Sequence, residues 1–260
     1  HEEARLFYLD IDTSTQQLNK EQLIPVLQKY LPSGSEHYAA DLMSHHKIQL
    51  RIKNPRLTKL GDYRPPTNES SHRISINRDL NPFSFLITFM HEVAHLVNFE
   101  KSGPRVPPHG IEWKREFQVV STPIIQQNLL PNDVHSALNR YLKNPKASSC
   151  TDANLVRTLK KYDASQEHML VEEIPSNEIF ETQDGRRFMK LEKMRTRFRC
   201  QELKTGKIYL VPGLMQCKPV LNANFTYSND AQSQSQRTQE NMGPKYLWGI
   251  ALNLTFVAVE

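Results

Sequence analysis

"FMHEVAHLVNFEKSGPRVPPHGIEWKREF", residues 89–117, carries His91 and His95 four positions apart, Glu92 beside the first of them, and His109 after a proline-rich bend. Residues four apart on a helix lie one above the other. His91 and His95 would therefore project from one face and reach a single ion through their imidazole nitrogens. Glu92 falls about 100° around the helix from His91, beside the ion rather than on it, where a base for a metal-bound water belongs. The flanks predict that helix: Asn81 as N-cap, Pro82 at the first helical position, and Gly103 followed by Pro104 as the stop. On its wheel Ser84, Thr88, His91, His95 and Asn98 form one narrow polar stripe among apolar residues. The expectation is a helix buried nearly all round, with that stripe facing a cleft. A core helix with hydrogen-bonded histidines is the plain alternative, but each buried polar group would then need its own partner, at about 1–3 kcal/mol where unmet.

A catalytic zinc site usually has three protein ligands and a fourth position for water. The metzincin pattern would put glycine at 98 and histidine at 101; Asn98 and Lys101 stand there instead, which excludes that class. Glu112 and Glu116 could supply a carboxylate ligand from the following helix. His109 is preferred, because the prolines before it rigidify the bend and it opens that helix close to the site. Zinc suits these ligand types, although three imidazoles also accept manganese or cobalt.

Outward from this stretch, "NKEQLIPVLQKYLP" reads as an amphipathic helix ending at Pro32, and "KIQLRIKN" and "HRISINRD" alternate as strands. Between the strands, "TKLGDYRPPTNESSH" is polar and turn-rich, so a surface loop is expected. "HGIEWKREFQVV", "PNDVHSALNRYL" and "TDANLVRTLKKYD" read as helices. The period changes from Phe180, where alternating stretches are broken by Asp184-Gly185 and Thr205-Gly206, both hairpin signals. "SNDAQSQSQRTQENMGPK" is a polar linker, and alternating Trp248, Ile250, Leu252, Leu254 and Phe256 predict a terminal strand. The fold class is α+β. Its expected parts are a helix-rich α+β domain over 1–170 that carries the histidines, a basic β module over 171–217, and a linker with a strand-like tail over 218–260.

The 260 residues suffice for a full core, and no apolar run is long enough to span a bilayer. Three cysteines, Cys150, Cys200 and Cys217, are too few for a disulfide framework or a four-cysteine zinc ribbon, so a reducing, cytoplasmic setting is expected. Cys150 has no base at a readable spacing and reads as a plain thiol. The net charge of +5, with a pI near 9.0, leans weakly toward anionic partners. "KMRTRFRC" places Arg195, Arg197 and Arg199 on one strand face, with Lys193 nearby, and such a face could track a phosphate backbone, with Phe198 or Tyr209 available for stacking only if exposed. Solvated charges on an edge strand are the competing explanation.

"FMHEVAHLVNF" followed by "RVPPHGIEWKREF" resembles the SprT-like (Spartan-type) metallopeptidase domain, whose signature is HExxH and then a histidine in an HGxxWK context. "KLGDYR", "HRISIN" and "NPKASSCTD" fit bacterial members, so the resemblance covers roughly residues 17–217. It implies a zincin-like fold, one zinc ion on His91, His95 and His109, Glu92 as the catalytic glutamate, and a protein substrate. Relatives of this type cleave proteins bound or crosslinked to DNA, which makes DNA an expected partner. Many members carry a four-cysteine ribbon; here the β module resembles that ribbon's hairpin with the metal lost. The expected activity is a zinc-dependent endopeptidase using a glutamate-activated water. The alternative is a nucleic-acid-binding or adaptor protein with a structural or little-used metal site. For the oxyanion, Tyr63, Arg105 and His72 are the candidate stabilisers.

Overall fold

The computed structural model describes residues 19–56, 58–146, 151–165, 167–220 and the backbone of 257–258. Cys150, the polar linker and the strand expected over 248–256 lie outside the described residues. The chain divides into two compact units between Asp163 and Ala164. It is a mixed α+β protein with six helices and two sheets among the described residues.

The first unit begins with α1 (Lys20–Leu27), where Asn19 accepts from the Gln22 N–H at 2.9 Å and Gln22 returns a bond to the Asn19 N–H. This reciprocal capping satisfies two N–H groups that a helix start otherwise leaves open. α1 stops at Leu27, short of the expected Pro32, and a turn carries Leu31 into the core. α2 (Glu36–His45), whose sequence carries no strong apolar period, buries Ala39, Ala40 and Met43.

Three strands follow: β1 (Gln49–Lys53), β2 (Gly61–Arg64) and β3 (Arg73–Asn77), in the order β1-β3-β2. β1 pairs parallel with β3, setting Leu50 beside Ile74 and Ile52 beside Ile76. β2 runs antiparallel along the other side of β3, with Tyr63 opposite Ile74. The expected surface loop is thus corrected in its middle, where "GDYR" is an edge strand. Its polar residues give no apolar alternation because among the described residues it pairs with one strand only and none of its residues is fully buried. Arg56 secures the approach to β2, donating to Asn77 Oδ1 at 2.8 Å and Ser75 Oγ at 2.9 Å.

α3 (Pro82–Ser102) matches its expected bounds: Asn81 accepts from the Ser84 N–H at 2.9 Å, and Gly103, with φ of 76°, ends it in a conformation that side chains disfavour. Phe85, Leu86, Phe89, Met90, Val93 and Leu96 are all buried, so α3 is the central helix of the core. The polar stripe is closed along most of its length, contrary to the expected cleft-facing strip. Ser84, Thr88 and Asn98 are buried, and only His91 and His95 keep partial exposure. Neighbouring elements cover the small polar side chains, and Thr88 Oγ1 turns back to donate to the Ser84 carbonyl at 2.8 Å. α4 (Ile111–Gln126) packs along α3 through Trp113, Phe117, Val120 and Ile124, and α5 (Asn132–Leu142) and α6 (Ala153–Lys160) complete the unit.

The second unit is a sheet of β4 (Met169–Leu170), β5 (Ile179–Glu181), β6 (Arg187–Lys193), β7 (Arg197–Glu202), β8 (Ile208–Pro212), β9 (Gln216–Pro219) and β10 (Val257–Ala258), ordered β10-β8-β7-β6-β5-β9-β4. Gly185 and Gly206, at φ of 80° and 72°, form the two expected turns. Cys200 and Cys217 are buried free thiols. Lys190 is buried beside them; its ammonium donates to the carbonyls of Glu172 and Ile174 and lies 4.0 Å from the Phe198 ring centre.

Candidate metal centre

α3 supplies His91, Glu92 and His95 from two successive turns. The turn at Pro107–Gly110, closed by the Gly110 N–H bonding to the Pro107 carbonyl at 3.1 Å, returns His109 to the same place. The three Nε2 atoms stand 3.2 Å (His95 to His91), 3.0 Å (His95 to His109) and 3.3 Å (His109 to His91) apart. A tetrahedral ion with bonds of about 2.0–2.1 Å spaces its ligands roughly 3.3 Å apart, so this set fits one. Among the described residues it is the one group of histidine, cysteine or acidic side chains that could hold a metal ion.

The charge states agree. Burial holds His91 well below the usual imidazole range, helped by His95 and His109; burial and His109 bring His95 down to about 4; burial lowers His109. All three are neutral imidazoles at pH 7, the form that donates a lone pair to a metal. With their protons on Nδ1, the three Nε2 lone pairs turn on one point, and one cation there would satisfy all of them.

Trp113 is the floor of this arrangement. It is fully buried, its ring centre lies 4.6, 5.3 and 4.7 Å from those of His91, His95 and His109, and its indole N–H points at the His91 carbonyl 3.5 Å away. Phe117 stacks beneath it at 5.2 Å. Lys114, next in the motif, donates to Asn144 Oδ1 at 2.8 Å. Neither glutamate weighed as a third ligand joins the cluster: Glu116 takes both its oxygens to the Lys101 ammonium, at 2.8 and 2.9 Å, and Glu112 sits over Gly110.

Glu92 is buried, and its surroundings push its carboxyl up to about 8, chiefly by desolvation and then by the charge of Asp62. The Tyr63 backbone N–H, Arg56 and Lys59 pull in the opposite direction. β2 is so close that a Cβ on Gly61 would meet Glu92 Oε1 and Thr88 Cγ2, each at 2.7 Å. The role of β2 was not read from sequence. The one available signal was a glycine, Gly61, two positions before the aromatic Tyr63 inside an otherwise loop-like stretch, since such a glycine also marks close approach of another group.

Of the three oxyanion candidates, Arg105 is exposed, while Tyr63 and His72 engage each other, Tyr63 Oη standing 2.9 Å from His72 Nδ1. In the second unit, Arg197 and Arg199 share the half-exposed face of β7, and Lys193 and Arg195 are exposed at the adjoining turn. Arg199 is paired with Glu192 at 2.6 Å. Phe198 is buried on the opposite face and unavailable for stacking, and the Arg186 guanidinium covers Tyr209, 4.7 Å from its ring centre. No helix among the described residues is long and apolar enough to cross a membrane.

No family model, curated protein or solved structure matches the chain.

Proposed function

We propose that the first unit is a zinc-dependent endopeptidase of the SprT-like, zincin-like kind, with His91, His95 and His109 holding one zinc ion and Glu92 as its general base. The observation that carries this reading is the convergence of three neutral imidazole nitrogens within 3.0–3.3 Å beside a buried carboxyl. When bound, the ion supplies Lewis acidity, acidifying water and polarising a peptide carbonyl. Glu92 takes the proton of the attacking water on a carboxylate oxygen and returns it to the leaving amine nitrogen. Its burial next to His91, with the Tyr63 N–H at its carboxyl, holds it in one place for both halves of that transfer. Trp113 and Phe117 keep water from behind the histidines and hold their rings in place.

The basic turn of the second unit supports a second reading that can coexist with the first, a nucleic-acid contact through Lys193, Arg195, Arg197 and Arg199. Lys193, Arg195 and Arg197 have no carboxylate partner among the described residues, so they are better placed for phosphate than the paired Arg199. In this reading the substrate is a DNA-associated or DNA-crosslinked protein.

One experiment tests both: metal content of the purified chain, and cleavage of a basic protein or of the chain itself, with and without single-stranded DNA. Bound zinc with cleavage that Glu92→Gln abolishes is expected. Full activity in Glu92→Gln would sink the mechanism; salt-sensitive DNA binding without DNA-stimulated cleavage would favour the adaptor reading.

A further inference from the structure

Among the described residues β2 pairs with one strand, β3, and it presents the Tyr63 N–H and Gly61 to the carboxyl of Glu92. Four residues of main chain paired with one strand do not define a position finely enough for a base, where displacement by about 1 Å is costly. A second tie runs through side chains. Tyr63 Oη is 2.9 Å from His72 Nδ1, and His72 Nε2 is 3.4 Å from Glu100 Oε1, on the last turns of α3. The other oxygen of Glu100 faces His46 Nδ1 at 2.9 Å, at the end of α2. A carboxylate facing Nε2 favours the imidazole proton on that nitrogen, which leaves Nδ1 to accept the Tyr63 O–H. The Tyr63 and His72 rings lie nearly parallel at 5.9 Å, and Phe99 meets each at 6.3 Å. The helix that carries Glu92 therefore also carries, two turns on, the anchor for the strand that Glu92 touches.

We propose that Glu100 and His72 are positioning residues for Glu92: by holding the Tyr63 hydroxyl they fix β2, so that the Tyr63 N–H and Gly61 confine the Glu92 carboxyl. This rests on the peptidase reading for its catalytic consequence. It also gives the Tyr63 hydroxyl a task other than stabilising an oxyanion.

The test uses the full chain loaded with zinc and a fluorescently labelled basic protein as substrate. Tyr63→Phe, His72→Phe and Glu100→Ala are compared with the Tyr63→Phe/His72→Phe pair, with Glu92→Gln as reference. Each single variant is expected to keep its zinc and to lose about tenfold in kcat with KM nearly unchanged. The pair should be no worse than either single change, because one linkage is broken only once. Amide hydrogen exchange at Tyr63 should quicken about tenfold in Glu100→Ala. Additive losses would overturn the proposal, as would a Tyr63→Phe defect far exceeding that of His72→Phe, which would assign the hydroxyl to the chemistry. If the wild-type chain cuts nothing, or Glu92→Gln is fully active, the peptidase reading fails by itself. Tyr63 amide exchange then decides the positioning claim, and unchanged exchange in Glu100→Ala overturns it.

Discussion

The main chain at Gly61 lies against the Glu92 carboxyl so closely that a methyl group there would stand 2.7 Å from Oε1. Thr88 Cγ2 at 2.7 Å and Glu92 Cγ at 2.9 Å crowd the same added carbon, so it has no room unless α3 or β2 gives way. Gly61→Ala should therefore move β2 or the Glu92 side chain. The expected outcome is a loss of about 1–3 kcal/mol in urea unfolding, with zinc retained and peptide cleavage reduced. Wild-type activity in a folded Gly61→Ala protein would contradict this account of how Glu92 is held.

Glu92→Gln and His109→Ala should separate chemistry from metal holding. The first keeps all three imidazoles and should retain zinc while cleavage falls by about 10²–10⁴-fold. The second removes one of three ligands and should cost both zinc and cleavage. Metal analysis beside a cleavage assay distinguishes them; zinc lost from Glu92→Gln would make that carboxylate a ligand.

Chelation should lower the melting temperature. A ligand bound only by the folded state stabilises it by about 2.7 kcal/mol when present at a hundred times its Kd. Removing the ion also leaves three imidazole nitrogens facing one another at 3.0–3.3 Å. A thermal scan with and without chelator reads the difference, and His109→Ala should show little of it.

Trp113→Ala should be among the most destabilising single changes, at about 3–5 kcal/mol, because the ring is fully buried between the three histidines and Phe117. Trp113→Phe, which keeps an aromatic floor, should fold and bind zinc more weakly than wild type. Zinc affinity by competition with a chromophoric chelator tests this, and an unchanged affinity would reduce Trp113 to filler.

Asp79 carries the pH prediction. Burial raises its carboxyl to about 7, and its Oδ1 is buried without a hydrogen-bond partner among the described residues. A folded-state value above the unfolded one means that the native protein binds the extra proton. Its contribution is present at acid pH and lost as pH rises from about 4 through about 7. Asp79→Asn should therefore raise stability at pH 8 by roughly 1 kcal/mol, allowing for partial exposure, and change little at pH 4. Urea unfolding at both values gives the answer; an equal effect at the two would reject it.

The parts of this protein written in neighbouring residues were legible in the chain. Asn81, Pro82 and Gly103 bound α3 because capping and left-handed geometry act within a turn, and the four-residue spacing alone put His91 and His95 on one face. Asp184-Gly185 and Thr205-Gly206 marked their turns for the same local reason. His109 could be preferred over Glu112 and Glu116 on the stiffness of the bend, but its convergence with the other two depends on how α4 packs along α3. β2 escaped because an edge strand paired with one neighbour needs no apolar alternation, and only the fold makes Gly61 and Tyr63 neighbours of Glu92. Likewise Phe198 entered the module's interior, and the polar stripe of α3 closed, through packing by segments distant in sequence. The chain by itself determined which groups could meet a metal and on what helix. Tertiary structure decided which of them meet, and what stands against the glutamate beside them, because contact between remote segments is settled by the shared burial of their faces.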